Sequence, residues 1–214
     1  GEVSISGSKN AALPILAATL LFDKNVTIKN LPRVKDIDTM LNLLKSLGRK
    51  ISFKNNKKIA TISKGKKNNF FAPYSLVKTM RAGILVLGPL LAKNKKAKVS
   101  SPGGCSIGVR PIDIHLKAIS KLGVKIQIEK GYVNAKAQEG LVGSEIRFSK
   151  ISVGATENSI LAACLAKGTS TIKNCAIEPE IKDLTNFLKT AGAKIKWIGK
   201  RTLKIEGVKT LKSI

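Results

Sequence analysis

The chain has 214 residues, of which 43% are hydrophobic, so it is long enough to bury a core and too apolar to be a disordered basic tail. Lysine and arginine outnumber the acidic residues by 39 to 13, and the formal net charge is +26. The longest apolar runs, residues 11–22 and 82–92, are too short to cross a bilayer. Three cysteines without a CxxC pair, beside a single histidine, predict neither a disulfide scaffold nor a metal site. We therefore expect no membrane association, no metal and no cofactor.

The positive charge consists mainly of lysine and is spread along the whole chain. Arginine contributes only six of the basic residues, whereas proteins that read nucleic acids favour arginine for bidentate contacts. Aromatic residues make up 4% of the chain, too few for an obvious base-stacking surface. We interpret the charge as a lysine-rich solvated surface, with a general attraction for anionic ligands as the alternative, and do not expect nucleic acid as a partner.

The first predicted unit spans roughly residues 1–65. It begins with a strand over residues 2–6 and an apolar helix over residues 11–21, followed by a strand over residues 25–29. An amphipathic helix comes next, because apolar residues recur with helical spacing. They are Ile37, Met40, Leu41, Leu44 and Leu47. Gly48 fits the C-cap of this helix, and strands with alternating polarity follow it.

The same order of elements recurs in two further units, roughly residues 66–140 and 141–214. Their apolar helices are predicted over residues 82–92 and 159–166. Their amphipathic helices end before Gly123 and Gly192, and each of these glycines, like Gly48, begins a Gly-x-Lys-Ile pattern. A helix that is apolar on all sides must be surrounded by protein, whereas a strand of alternating polarity has one wet face. The sequence therefore predicts a mixed α and β fold, an inside-out α/β barrel with three units around a pseudo-threefold axis, buried helices and outer sheets.

The second unit differs from the others in the long loop before its amphipathic helix, residues 101–111. Three glycines let the backbone of this loop approach a ligand. Cys105 lies in the middle of the loop, and Arg110 precedes Pro111, which suits the first position of a helix. Arg110 would thus lie at a helix N-terminus, which favours an anion. We interpret Cys105 as a reactive thiol, with an incidental loop thiol as the alternative.

Other residues suit an anion or a core position. Lys9 and Asn10 lie at the start of the first apolar helix, where free amides favour a phosphate or a carboxylate. Arg81 precedes the second apolar helix. For these residues the alternative is a solvent-facing side chain at a helix start. We interpret His115 as a core or boundary histidine, and Cys164 and Cys175 as packed thiols.

Five segments together resemble the UDP-N-acetylglucosamine enolpyruvyl transferase (1-carboxyvinyltransferase) family. They are GSKNAALPILAA from residue 7, LVKTMRAGILVLGPLLA from residue 76, PGGCSIGVRPIDIHL from residue 102, ISVGATENSILAACLAKGT from residue 151 and EPEIKDLTNFLKTAGAKI from residue 178. The resemblance covers almost the whole chain, and the cysteine loop is its most specific part. It implies an enolpyruvyl transferase fold of two similar domains, each with three repeated units. We expect residues 1–214 to be one such domain, with the second domain absent from this chain. Because the first residue is glycine, we expect a processed chain or a piece of a longer one.

The resemblance implies transfer of enolpyruvate from phosphoenolpyruvate to the 3-hydroxyl of UDP-N-acetylglucosamine, with release of phosphate. This reaction is the first committed step of peptidoglycan synthesis, in the bacterial cytoplasm. Carried over by position, Cys105 becomes the general acid, the covalent adduct site and the target of fosfomycin. Lys9, Asn10 and Arg110 become phosphoenolpyruvate contacts. The implied contacts to the UDP-sugar are Arg81, Arg110, Pro111, Ile112, Asp113, Ile114, Lys150, Ile151, Ser152 and Val153.

The resemblance is incomplete. The second domain of the family supplies an aspartate as general base and further arginines for phosphate, and Ile177 stands where many relatives have arginine. We therefore expect the isolated chain to be inactive. The shikimate-pathway enolpyruvyl transferase shares the fold but does not use this cysteine loop. The remaining alternative is a non-catalytic remnant or binding module with affinity for the UDP-sugar or for polyanions.

Overall fold

The computed structural model of the chain describes residues 1–3, 5–56, 58–101 and 112–214. These residues form seven α-helices, two short 3₁₀-helices and eleven strands, which pair into three sheets. The predicted mixed α and β fold is thereby confirmed. In the part of the chain that is described, every helix is too short or too polar to cross a membrane.

The first sheet takes its strands from the N-terminal third of the chain. The elements there are α1 (Lys9–Ala18), β1 (Val26–Ile28), α2 (Lys35–Ser46), β2 (Arg49–Lys54) and β3 (Ile59–Lys64). The strands are antiparallel in the order β1-β3-β2. The strand predicted over residues 2–6 is wrong for the described residues of that segment, which are not in a strand. The outer edge of β1 is used instead by the far end of the chain, because the Thr27 N–H donates to the Ile214 carbonyl at 2.8 Å.

The second sheet lies in the middle third. Its elements are β4 (Phe71–Ala72), α3 (Tyr74–Val77), a 3₁₀-helix (Arg81–Val86), α4 (Leu87–Asn94), β5 (Lys96–Ser100), α5 (Asp113–Ser120), β6 (Lys125–Glu129) and β7 (Tyr132–Lys136). The strand order is β4-β5-β7-β6, with β4 parallel to β5. The apolar helix predicted over residues 82–92 is therefore a 3₁₀-helix that continues as an α-helix.

The third sheet repeats the strand order of the second. Its elements are β8 (Glu145–Arg147), α6 (Val153–Ala163), β9 (Thr169–Lys173), α7 (Pro179–Thr190), β10 (Lys194–Gly199) and β11 (Thr202–Glu206). The order is β10-β11-β9-β8, and β8 is parallel to β9. Helix α6 begins six residues earlier than the start predicted at Ser159. The prediction stopped at a run of polar residues, Thr156 to Ser159, which are part of the helix and buried.

The apolar helices α1, α4 and α6 lie inside and the sheets lie outside. Every residue of α1 from Ala12 to its end is buried, and α4 packs against α6. The strands of the sheets carry exposed lysines on alternate residues, as β2 and β10 illustrate. This arrangement confirms the prediction of buried helices and outer sheets. The division into a single domain of three units, with boundaries near residues 65 and 140, stays our proposal.

The units pack around a closed ring. The amphipathic helix of each unit contacts a helix of the next unit: α2 contacts α3, α5 contacts α6, and α7 contacts α1. The last of these contacts joins the third unit to the first. Each unit therefore has two neighbours, as a pseudo-threefold arrangement requires.

One buried amide ties the central helices together. A Cβ atom on Gly88 of α4 would lie 2.5 Å from the backbone oxygen of Asn158 of α6, so glycine permits this close approach. The Gly88 N–H donates to Oδ1 of Asn158 at 2.7 Å, and Nδ2 of Asn158 donates to the Ile84 carbonyl at 3.0 Å. Because Gly88 lies in the first turn of α4, its N–H has no partner within that helix, and Asn158 supplies one.

Candidate active site

A cleft of about 670 Å³ opens where the three central helical segments begin. Helix α1 begins at Lys9, the 3₁₀-helix that leads into α4 begins at Arg81, and α6 begins at Val153. The free N–H groups at helix N-termini attract negative charge. Three such ends at one cleft therefore favour an anionic ligand.

Six of the residues predicted as substrate contacts line this cleft together. They are Lys9, Asn10, Arg81, Ile151, Ser152 and Val153. They come from segments far apart in the sequence, and the repeat brings them together because each stands at the start of a central helix. Their roles toward a substrate stay a prediction.

Four other predicted contacts that the structure describes do not line this cleft. Lys150 is exposed just before them, and Asp113 is exposed and pairs with Lys117 at 3.5 Å. Ile112 and Ile114 are half-buried against the core. Cys105, Arg110 and Pro111 lie outside the described residues.

Serine side chains cap the N-termini of α1 and α6 at the cleft. The Ser8 hydroxyl accepts from the Ala11 N–H at 3.4 Å, and the Ser152 hydroxyl accepts from the Ala155 N–H at 3.3 Å. Both serines therefore start their helices in the way expected of an N-cap. In α1, Pro14 has no N–H to donate to the Asn10 carbonyl, so that carbonyl lacks its usual helical partner.

Lys9 is paired across the cleft with Asp36, which the sequence did not suggest as a site residue. Lys9 Nζ lies 3.0 Å from Oδ2 of Asp36, and the two side chains are 47% and 36% exposed. Ion pairs this exposed contribute little to stability. The Lys9 ammonium is therefore able to exchange Asp36 for an anionic ligand at small cost.

His115 is buried as predicted, and it also lines the cleft. Burial, together with the charge of Arg81, lowers the pKa of His115 to about 4, while Asp113 opposes the shift. The imidazole is thus neutral at pH 7. Gly154 gives it room, since a Cβ atom on Gly154 would lie 3.1 Å from Cε1 of His115.

Glu157 is a second cleft residue that the sequence reasoning missed. Its side chain is only 5% exposed. Burial, together with the nearby carboxylate of Glu180, raises the pKa of Glu157 to about 8. The sequence around it gave no signal, because Glu157 stands in a run of polar residues, Thr156 to Ser159, that looks solvent-exposed.

The two described cysteines lie away from the cleft and are fully buried, which confirms the expectation of packed thiols. Burial raises the pKa of Cys164 to about 12 and that of Cys175 to about 11. Neither thiol is therefore a nucleophile at neutral pH. Within the described ranges, no three His, Cys, Asp or Glu side chains are grouped so as to hold a metal ion.

Known proteins resemble the chain in sequence. Curated relatives named UDP-N-acetylglucosamine 1-carboxyvinyltransferase include that of Pelagibacter ubique (strain HTCC1062), 66% identical over the whole chain and 51% of the relative. The Helicobacter pylori (strain ATCC 700392 / 26695) relative is 55% identical over 97% of the chain and 49% of its own length. The chain thus spans about half the length of the curated relatives it matches.

Solved structures resemble it in fold. The enolpyruvyl transferase NikO from Streptomyces tendae matches with a TM-score of 0.84 and 22% identity, over 100% of this chain and 50% of that one. EPSP synthase from Acinetobacter baumannii matches with a TM-score of 0.78 and 18% identity, over 100% of this chain and 48% of that one. The sequence profile of the EPSP synthase (3-phosphoshikimate 1-carboxyvinyltransferase) family matches residues 1–214. The chain therefore belongs to this family of enolpyruvyl transferases, and its curated relatives within it carry the name UDP-N-acetylglucosamine 1-carboxyvinyltransferase.

Proposed function

We propose that this chain is the cysteine-loop half of an enzyme that transfers enolpyruvate from phosphoenolpyruvate to the 3-hydroxyl of UDP-N-acetylglucosamine. One observation carries the proposal: residues from all three units that the family resemblance implies as substrate contacts line a single cleft. The names of relatives at 51–66% identity support the choice of sugar nucleotide over shikimate phosphate.

Charge complementarity supports the choice of substrates. Phosphoenolpyruvate and the UDP-sugar are both anionic, and the cleft offers Lys9, Arg81 and three helix N-termini. Such groups bind phosphate and carboxylate oxygens through charge-assisted hydrogen bonds. Fixed positive groups also stabilise the negative charge that moves onto the departing phosphate. The net charge of the chain is thus explained in part without a nucleic acid.

The proposed reaction is an addition followed by an elimination. In the addition, the 3-oxygen of the sugar bonds to C2 of phosphoenolpyruvate and loses its proton to a base, while Cys105 donates a proton to C3. In the elimination, C3 loses a proton and the bond from C2 to the phosphate oxygen breaks, which gives the enolpyruvyl ether and phosphate. We assign the general base to the second domain.

Cysteine suits this role. An unperturbed thiol, with a pKa of about 8.5, is mostly protonated at neutral pH and is able to donate a proton. A cation close to a thiol lowers the thiol pKa and favours the thiolate, which is able to add to the substrate or to the epoxide fosfomycin. We propose that the enzyme works in the bacterial cytoplasm, as a step of peptidoglycan synthesis.

A chimera tests the proposal. This chain would replace the matching half of the Pelagibacter ubique relative, and phosphate release would be measured with both substrates. We expect turnover by the chimera, none by the isolated chain, and a loss of about 10²–10⁴-fold on Cys105→Ser, because serine is a far weaker acid. A folded chimera that binds the UDP-sugar without releasing phosphate would favour the non-catalytic binding module instead.

A further inference from the structure

A carboxyl group that the mechanism above does not use lies inside the cleft. Glu157 is in α6, one helical turn after Val153. It lines the cleft, yet only 5% of it is exposed to solvent. Among the described residues, no hydrogen bond or ion pair to this carboxyl is present. Lys9, a cation of the same cleft, pairs with Asp36. Buried carboxyl groups normally have hydrogen-bond partners. The carboxyl group of Glu157 is therefore available to form a hydrogen bond with a ligand in the cleft.

The charged groups around the cleft leave Glu157 without a dedicated cation. Lys9 from α1 is paired with Asp36 from α2, and Arg81 stands at the start of the 3₁₀-helix. His115 from α5 is neutral, and Glu180 from α7 adds a second carboxylate. Burial and a like charge both disfavour ionisation of a carboxyl group.

We propose that Glu157 binds the substrate as a neutral carboxylic acid and donates a hydrogen bond to a phosphate or carboxylate oxygen of the anionic ligand in the cleft. The inference rests on the proposed function, because it takes that ligand to be phosphoenolpyruvate or UDP-N-acetylglucosamine. An ionised Glu157 would repel either ligand, whereas a protonated one forms a short O–H···O⁻ hydrogen bond. A carboxylic acid kept neutral at pH 7 by an apolar site is an established hydrogen-bond donor in other enzymes.

The pH dependence follows from the direction of the pKa shift. Because the pKa of Glu157 is raised to about 8, the acid form prevails at pH 6.5 and is lost as the pH rises through 8. Ligand binding should therefore weaken in the same range. If only the acid form binds, a pKa near 8 leaves about a tenth of the molecules competent at pH 9, which is a loss of about tenfold in affinity.

Calorimetric titrations at pH 6.5 and pH 9 would test the proposal on the full 214-residue chain. Phosphoenolpyruvate and UDP-N-acetylglucosamine are titrated separately, so the two arms identify which ligand Glu157 contacts. Glu157→Gln keeps an uncharged donor of the same size, and Glu157→Leu removes the donor. Glu139→Gln is the matched control, since Glu139 is exposed in a turn outside the cleft.

For the contacted ligand, we expect Glu157→Gln to bind as the unmodified chain does at pH 6.5 and to lose the weakening at pH 9. Glu157→Leu should bind about tenfold more weakly at pH 6.5, the effect of one hydrogen bond to a charged group. Equal pH dependence in the unmodified chain and in Glu157→Gln, for both ligands, would overturn the inference. So would tighter binding by Glu157→Gln at pH 6.5, which would indicate repulsion by an ionised carboxylate.

A measurement without ligand separates this inference from the proposed function. The ¹³C resonance of the Glu157 carboxyl, followed against pH, should show a midpoint near 8, and a midpoint near 4.5 would overturn the inference alone. No binding of either substrate by the unmodified chain at pH 6.5 and millimolar ligand would contradict the proposed function, and the inference would fall with it.

Discussion

Nδ2 of Asn158 lies 3.3 Å from Nδ1 of His115, and this contact determines which imidazole nitrogen carries the proton. Oδ1 of Asn158 accepts a hydrogen bond from the Gly88 N–H, and one of the two hydrogens on Nδ2 is donated to the Ile84 carbonyl. The second N–H of the amide therefore donates to Nδ1 of His115, which must accept. The neutral imidazole then carries its proton on Nε2, on the side of Gly154.

Replacing Asn158 by leucine should destabilise the fold strongly. Asn158→Leu keeps the volume but leaves the buried Gly88 N–H and Ile84 carbonyl without partners, so we expect a loss of about 2–4 kcal/mol in the free energy of unfolding. Urea denaturation would measure it. Asn186→Leu, at an exposed position of α7, is the control and should change stability by less than about 0.5 kcal/mol. Equal effects of the two substitutions would contradict the proposed network.

Acid should destabilise the chain through His115. The folded pKa of about 4 lies below the unfolded value of 6.5, so the unfolded chain binds the extra proton first. Stability is therefore full above pH 6.5 and declines as the pH falls toward 4, by up to about 3 kcal/mol from this group. Urea denaturation at pH 7 and pH 4.5 should show a smaller decline for His115→Asn. A decline that is unchanged in the variant would contradict the lowered pKa.

Glu157 should act on stability in the opposite direction. Its folded pKa of about 8 lies above the unfolded value of 4.5, so the stability contributed by this carboxyl is greatest below pH 4.5 and is lost as the pH rises toward 8. The loss should reach about 4 kcal/mol at most between pH 5 and pH 9. Glu157→Gln should remove it in urea denaturation, and Glu139→Gln should not. This measurement needs no ligand, and a flat profile for the unmodified chain would contradict the raised pKa.

Thiol labelling should separate the three cysteines. We expect a maleimide to modify Cys105 in the folded chain and to leave Cys164 and Cys175 untouched, because both are fully buried with raised pKa values. In urea all three should react. Peptide mass mapping gives the sites, and fosfomycin with the UDP-sugar present should select the same thiol in the chimera. Label on Cys164 or Cys175 alone would remove the central role proposed for Cys105.

Binding of the UDP-sugar should depend on arginine and on salt. Arg81→Ala and Arg110→Ala should each weaken binding by about tenfold at low salt, the effect of one charge-assisted contact. The difference from the unmodified chain should shrink as salt increases, since exposed charges are screened. Arg147→Ala is the calorimetric control, because Arg147 is exposed on β8 outside the cleft. Unchanged titrations for both Arg81→Ala and Arg110→Ala would show that the wrong face has been assigned.

The repeat and the inner helices could be predicted from the sequence because their signals are local. Glycine after each amphipathic stripe marks a helix end, and an all-round apolar helix requires burial wherever it occurs. The start of α6 could not be predicted in this way. Glu157 and Asn158 look like surface residues in the sequence, and Asn158 is buried because its partners Ile84, Gly88 and His115 come from another unit.

The candidate cleft was predictable only in part, for a similar reason. Lys9 and Arg81 were found because each stands just before an apolar helix, a local feature. Asp36 and Glu180 became neighbours of the cleft through the packing of α2 and α7, which no local pattern shows. The described residues of the segment predicted as a strand over residues 2–6 are not in a strand, and the edge of β1 pairs with Ile214 from the opposite end of the chain, a long-range contact that no local pattern shows.

The contact between Thr27 and Ile214, together with the packing of α7 on α1, has a consequence for how the chain unfolds. In an open array of repeats the terminal unit has one neighbour, and melting is able to start there and spread. Here the third unit packs against the first, so every unit has a neighbour on both sides. Unfolding therefore has no terminal unit at which to start, and the unfolding of any one unit breaks its interfaces with both neighbours. Denaturation should then occur in a single cooperative transition for all three sheets.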